Sequence, residues 1–411
     1  MRIIRLGIFG LGRGGSFYKD IMANNGEVVA VCDRREECFE EAKKYAPDVA
    51  CYTDFDAFLE HDMDAVLLAN CFHEHAPFAI RCLEKGLHVL SECTSNATMA
   101  EGVALVRAAE KSKGFYMLAE NYPFMRYNQE MRRVYRSKVL GKALYAEGEY
   151  NHPFNFDNEE EHRALRPYPE HWRNFLPRTY YITHSLAPLM YITGAFPKRV
   201  TALPCFAPFD EFQRVGNKVA DRAAIITTLN DDDSVYRVTG CATFGAHGNS
   251  YRVCGTFGQI EKQRGRGDDV MLRFNPWNLP EGMETKQAYL PEWPAEVREL
   301  AETAGHGGGD FFVMREFFNC IRENRRPEFD EYFATTCASV AILGHRSLLE
   351  YGVPYDIPDF RKEEDRQKYE NDHLCPMPRT GKPANQPCCS HPDYEIDPVQ
   401  FENYKKMVGR Q

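Results

Sequence analysis

The 411-residue chain has no excess of positive charge: 50 Lys and Arg stand against 60 Asp and Glu, giving a net charge of −10. Such a balance offers no basic field to a polynucleotide or an anionic bilayer, which sets both aside as partners. Long apolar runs are missing as well, since stretches such as "AVLLAN" fall well short of the ~18 residues a spanning helix requires. The opening "MRIIRLGIFGLGRGG" mimics an export signal, but its apolar part is short, broken by glycines and followed by Arg13, so it reads as a strand. The fourteen cysteines contain no C-x-x-C pair, and Cys32, Cys71, Cys254 and Cys320 lie in apolar surroundings. Reduced, buried thiols and a cytoplasmic location are expected, and a disulfide framework is not. His73 and His75 lack an obvious third ligand, and His373, Cys375, Cys388, Cys389 and His391 follow no zinc spacing, so no metal is expected. No internal repeat is present.

What the chain does have is 43% apolar residues, enough for sizeable cores, and a length that suggests two domains. From residue 1 to 122, β-like runs ("IIRLGIF", "VVAVC", "AVLLAN", "HVLS", "FYMLA") alternate with amphipathic stretches such as "REECFEEAKKYA", "EHAPFAIRCLEKG" and "MAEGVALVRAAEKSKG". This alternation predicts an α/β domain of the Rossmann type, a doubly wound parallel sheet that binds a dinucleotide. From 123 to 351, strand-like segments follow one another ("KALYAEGEY", "RVTALPC", "AAIITTL", "YRVTGCATF", "YRVCGTFGQIEK", "VMLRF") before two helices at about 310–323 and 331–351. An α+β C-terminal domain with a mostly antiparallel sheet is expected, serving substrate binding and oligomerisation. Residues 352–411, rich in Pro, Asp and Lys and without periodicity, are expected as an extended C-terminal arm.

Gly10-x-Gly12-x-x-Gly15 follows the first strand and opens a helical run, the setting in which backbone N–H groups approach a pyrophosphate at a helix N-terminus. The second strand ends in Asp33, eighteen residues after Gly15, where a carboxylate accepts hydrogen bonds from an adenosine ribose. Asp33 favours NAD over NADP by repelling a 2′-phosphate, while Arg34 and Arg35 pull the other way.

These residues, with "NCFHEHAPFAIRCLEKGLHVLSE" and an antiparallel second domain carrying a histidine ten residues before a glycine, resemble the Gfo/Idh/MocA oxidoreductases over about residues 3–350. The resemblance implies a cofactor site built from Gly10, Gly12, Arg13, Gly15, Asp33, Arg34, Asn70, His75, Glu92 and Asn121, and a homo-oligomer. Two departures stand out. The Glu-Lys-Pro usual after the fifth strand reads Glu92-Cys93-Thr94, without the proton-moving lysine. The aspartates common four residues before and three after the histidine are Tyr180 and Ala187. The chain is similar in both respects to the NAD-dependent family 109 glycoside hydrolases, through "YITHSLAP" with Tyr181 and His184, "MLAENYPF" with Glu120, and "AGHGGGDF" with His306.

On a helix, positions three apart share a face, so Tyr181 and His184 are expected in one cleft as a proton donor and acceptor. Glu120 is expected to hold a sugar hydroxyl or act as a second acid/base, His306 to touch the ligand, and Trp172 to stack on a sugar ring beside Arg173. Cys93 is expected to pack, with nothing in sequence to make it a nucleophile. The leading expectation is an NAD(H) oxidoreductase acting on a sugar or glycoside hydroxyl, with a tightly held and recyclable cofactor. Two alternatives stay open: a glycosidase or lyase working through a transient keto-sugar, and a non-catalytic dinucleotide sensor or assembly subunit.

Overall fold

Six strands, β1 (Ile4–Phe9), β2 (Gly26–Cys32), β3 (Ala50–Tyr52), β4 (Ala65–Leu68), β5 (His88–Ser91) and β6 (Tyr116–Leu118), form a parallel sheet in the order β3-β2-β1-β4-β5-β6. The computed structural model describes residues 2–155, 157–209, 214, 216–379 and 381–409. Strand order reverses between β1 and β4, so the crevice beyond their carboxyl ends is where a ligand of such a sheet sits. Val66, Leu67, Val89 and Leu90 are fully buried, as strands covered on both faces by helices must be. Helix Met99–Lys111 starts at a reciprocal cap, Thr98 accepting from the Glu101 N–H while the Glu101 carboxylate accepts from the Thr98 N–H. The three-residue edge strand β3 escaped the sequence pattern because so short a run shows no period.

The second sheet has nine strands: β7 (Ala143–Asn151), β8 (Pro197–Phe206), β9 (Asp221–Asn230), β10 (Val235–Gly240), β11 (Gly248–Gly255), β12 (Gly258–Lys262), β13 (Val270–Phe274), β14 (Lys286–Tyr289) and β15 (Tyr355–Asp356). Their order is β14-β13-β12-β11-β7-β10-β9-β8-β15, antiparallel throughout except for the β7–β10 pair. "YRVCGTFGQIEK", read as one segment, turns at Thr256–Phe257 into two antiparallel strands. Helix Glu331–Leu349, capped by Asp330 accepting from the N–H groups of Tyr332 and Phe333, is buried on nearly every side and packs against β8, β6 and helix Met99–Lys111. It ties the two sheets together.

The tail is more than an arm. β15 extends the large sheet beside β8, Arg366 of helix Glu363–Tyr369 pairs with Glu110, and Cys375 and Met377 enter the core. In the last helix, Pro398–Val408, the Tyr404 hydroxyl meets Asn174 Nδ2 and the carbonyls of Arg166 and Tyr168 at 3.0–3.1 Å.

One close approach sets the site. The segment carrying Tyr181 and His184 lies directly on the central strands because β7 and β10 present glycines there. A Cβ on Gly148 would stand 2.0 Å from the Ser185 carbonyl oxygen, and one on Gly240 would stand 2.3 Å from that of Arg178. Ser185 Oγ then donates to the Thr239 carbonyl at 2.7 Å and Tyr251 OH to the His184 carbonyl at 2.6 Å. Gly148→Ala should therefore lift this segment off the sheet and destabilise the fold by about 1–3 kcal/mol, an overpacking cost measurable by urea denaturation.

Candidate active site

Gly10, at φ 92°, lies so close to the end of β4 that a Cβ would reach the Ala69 carbonyl oxygen at 2.4 Å. Above Gly12 there is room: a Cβ would meet only Arg35 Nη2, at 3.7 Å. Gly14, which lies between the motif's last two glycines, is the closely packed one, since its Cβ would strike Ile8 at 2.6 Å whereas Gly15 has only a 3.4 Å approach to Tyr18. Asp33 Oδ2 accepts from the Leu11 N–H at 2.8 Å, and its Oδ1 takes the Arg35 N–H and Nε at 3.0 and 3.2 Å. Burial alone would raise the Asp33 pKa, but Arg35 and the two backbone donors hold it below the ordinary carboxylate range. Arg35, and not Arg34, is the arginine against this carboxylate. The amide oxygens of Asn70 and Asn121 are buried without a hydrogen-bond partner among the described residues. Open space over a glycine turn, an ionised carboxylate at the end of β2 and two unsatisfied amides along the strand ends fit a dinucleotide.

Asp310, which sequence reasoning quoted but did not single out, is the hub of the opposite wall. Arg13 bonds it through Nη1 at 3.0 Å and Nη2 at 2.7 Å and reaches Glu92 Oε1 with Nε at 2.8 Å. Asn121 Nδ2 donates to Asp310 Oδ1 at 2.8 Å, and His306 Nδ1 lies 2.9 Å from its Oδ2. One carboxylate from helix Gly309–Glu323 thus joins the glycine turn, the end of β6 and the "GHGGGD" loop. His75 is buried, with Nδ1 bonding the Thr94 carbonyl at 2.9 Å, so it braces the loop after β5.

Tyr181 and His184 do not share one regular helix. Tyr181 closes a 3₁₀ turn (Arg178–Tyr181) and His184 is the second residue of helix Thr183–Thr193. Their rings still meet, edge to face at 5.1 Å. His184 also stacks on Tyr122 at 4.2 Å and meets the edge of Tyr150 at 4.9 Å, so three phenols surround the imidazole. Tyr150 went unnoticed in the sequence because a tyrosine ending a strand is ordinary there.

Glu120 is fully buried, and both its carboxylate oxygens have partners within the protein. Its Oε1 takes His184 Nδ1 at 2.8 Å and the Tyr122 N–H at 3.2 Å, and its Oε2 takes the Cys93 thiol at 3.2 Å. Burial pushes its pKa up, but His184, Thr183 and Cys93 together hold it below the ordinary value, so the carboxylate is ionised. Burial and the neighbouring carboxylates push the Cys93 thiol well up, which keeps it protonated as a donor. An anion on Nδ1 assigns the proton to that nitrogen and leaves Nε2 as the basic one. Burial also pushes the Tyr181 phenol upward, making it a hydrogen-bond donor at neutral pH.

Trp172 does not offer a free face. It is 7% exposed, stacked on Phe72 at 5.4 Å with the Arg173 guanidinium 4.4 Å from its centre.

The fold and these residues define a two-domain, NAD-binding oxidoreductase architecture. Residues 4–120 match the model of the Gfo/Idh/MocA oxidoreductase family, NAD-binding Rossmann fold, and residues 251–367 match that of the glycosyl hydrolase 109 C-terminal domain. The two matched segments fall in the parallel-sheet half and the large-sheet half of the chain respectively. It is 23% identical over 394 residues to an alpha-N-acetylgalactosaminidase of Shewanella oneidensis, covering 88% of this chain and 86% of that one. A glycosyl hydrolase family 109 protein of Shewanella pealeana is 22% identical over 397 residues, with the same coverage. Among solved structures, levoglucosan dehydrogenase in complex with NADH and levoglucosan superposes with a TM-score of 0.72 at 18% identity, over 87% of this chain and all of that one.

Burial would raise the Asp310 pKa, but His306 and Arg13 hold it well below its unfolded value of ~4. The stability it contributes is therefore complete above that value and lost as the pH falls through the folded-state value. Asp310→Asn should lower the unfolding free energy by about 1–3 kcal/mol in neutral buffer and by less in strong acid, as read by urea denaturation, and should weaken NAD binding.

Proposed function

We propose that this protein oxidises a hydroxyl of a sugar or glycoside with NAD, and that His184 and Tyr181 handle the hydroxyl proton. The observation that carries the reading is the 2.8 Å bond from His184 Nδ1 to the buried Glu120 carboxylate, which directs the basic Nε2 to the substrate side of the ring. When bound, NAD supplies the hydride acceptor. The chain supplies the rest. The turn Gly10–Gly15 and Asp33 hold the adenosine end, and Asn70, Glu92 and Asn121 line the strand ends toward the nicotinamide. Tyr181 donates a hydrogen bond to the reacting oxygen while His184 Nε2 takes its proton, and Glu120 fixes the imidazole and offsets the charge it gains. Glu120 is thus a positioning residue. The similarity to a levoglucosan dehydrogenase supports a sugar as substrate.

A second reading, glycoside cleavage through a transient keto-sugar with the cofactor recycled, fits Glu92-Cys93-Thr94 in place of a lysine motif and the match of residues 251–367 to the glycosyl hydrolase 109 C-terminal domain. The same His184 then takes the acidified proton beside the ketone and Tyr181 protonates the departing oxygen. Fourteen free cysteines support a reducing, cytoplasmic setting. Leu144, Leu203 and Phe257, half exposed along the large sheet, support self-association.

With a panel of glycosides, reduced nicotinamide accumulating in step with product marks the dehydrogenase, and aglycone release without net reduction marks the recycling enzyme. His184→Ala should lower kcat/KM by ~10²–10⁴-fold and Tyr181→Phe by a smaller factor, with NAD affinity retained. Turnover unchanged in both variants would refute the roles given to His184 and Tyr181, and no turnover of any glycoside even in the wild type would leave only a dinucleotide sensor.

A further inference from the structure

Three arginines lie around Phe154, Trp172 and the turn that ends in Tyr181, and none of them forms an ion pair within 4 Å of a carboxylate among the described residues. Arg166, 3% exposed, follows helix Glu159–Leu165, and its Nη1 donates to Nδ1 of His162 at 3.3 Å. Its Nε has no hydrogen-bond partner among the described residues. Arg178, also buried, donates Nε to the Asp221 carbonyl at 3.1 Å. Arg166 and Arg178 approach the same ring, their Cζ atoms 4.9 and 5.8 Å from the centre of Phe154. Arg173 lies over Trp172, which stacks on Phe72, the ring next to Tyr181.

The acids that face the cluster are Asp221, against Arg178, and Glu161, against Arg166. Asp221 takes the Ser390 N–H and hydroxyl, and Glu161 takes the Asn158 amide. Burial lowers the proton affinity of all three guanidiniums, and Arg173 and Arg178 repel Arg166 further. Arginine nevertheless stays protonated in proteins, so among the described residues three guanidiniums face only the buried carboxylate of Asp221 and the exposed one of Glu161, an excess of buried positive charge. Uncompensated buried charge is costly, and the cost is recovered when an anion arrives.

We propose that Arg166, Arg173 and Arg178 receive an oxyanion group, a carboxylate, sulfate or phosphate, carried by the saccharide on which Tyr181 and His184 act. This rests on the sugar reading above and adds the charge of the substrate. Planar guanidinium forks match all three oxyanions, and Arg173, next to Tyr181, places the anion within one sugar residue of the reacting hydroxyl.

The test is calorimetric titration of the NAD-loaded full chain at fixed ionic strength. D-glucuronate, D-galactose 6-sulfate and D-glucose 6-phosphate are each compared with neutral D-glucose or D-galactose. At least one acid should bind roughly tenfold or more tighter than its neutral parent, a difference of about 1.4 kcal/mol. The three arms rank carboxylate, sulfate and phosphate. Arg166→Met and Arg173→Met should abolish the preference, and Arg173→Lys should keep part of it. Equal affinity for acids and neutral sugars, no binding of any acid, or a preference that survives both methionine variants overturns the proposal. Should those variants fail to fold, the wild-type comparison and Arg173→Lys decide it. Because the readout is binding, acid-selective binding without turnover refutes the oxidoreductase reading alone, and turnover of neutral glycosides without acid selectivity refutes the oxyanion receptor alone.

Discussion

A carboxylate with no solvent contact is tolerated only where other groups replace water around it, and Glu120 has such replacements on both oxygens: an imidazole, a backbone N–H and a thiol. The consequence runs outward from there. The imidazole cannot rotate without stranding the charge, so its second nitrogen has a fixed direction. The three surrounding phenols then shape the space that nitrogen faces. Cys93, standing where the Gfo/Idh/MocA oxidoreductases usually carry a lysine, is intelligible as a donor to Glu120. An ammonium at that place would compete with His184 for the same carboxylate.

The two domains meet at a second carboxylate. Asp310 collects Arg13 from the dinucleotide turn, Asn121 from the end of β6 and His306 from the glycine loop, so the cofactor wall and the substrate wall share one anchor. Helix Glu331–Leu349 does the same for the packing, lying against both sheets. Glycines at 148 and 240 complete the arrangement by letting the His184 segment rest on the large sheet without intervening side chains.

Much of this was legible in the residues. The glycine turn, Asp33 and the alternation of short apolar strands with amphipathic helices are local signals, and the parallel sheet with its carboxyl-end crevice followed from them. So did the antiparallel second sheet. What could not be read was anything made by distant partners: Arg13 and Asp310 are 297 positions apart, and neither has a local pattern that names the other. β3, β14 and β15 are edge strands of two to four residues, too short for periodicity. Trp172 was expected as a platform because sequence shows an aromatic ring but not what covers it. The bonds of Glu120 to His184, Tyr122 and Cys93 were equally out of view, since sequence does not show how many donors surround a carboxylate. Arg166 and Arg178 look like any surface arginines until burial separates them from water.

The central claim is that His184 carries its proton on Nδ1, toward Glu120, and keeps Nε2 free to accept another. Nitrogen-15 NMR of histidine-labelled, NAD-loaded protein in mildly alkaline buffer reads that tautomer directly. The account predicts a protonated Nδ1 and an unprotonated Nε2 for His184, reversed or averaged in Glu120→Gln. A wild-type ring with its single proton on Nε2, or one averaging freely between the two nitrogens, would contradict it.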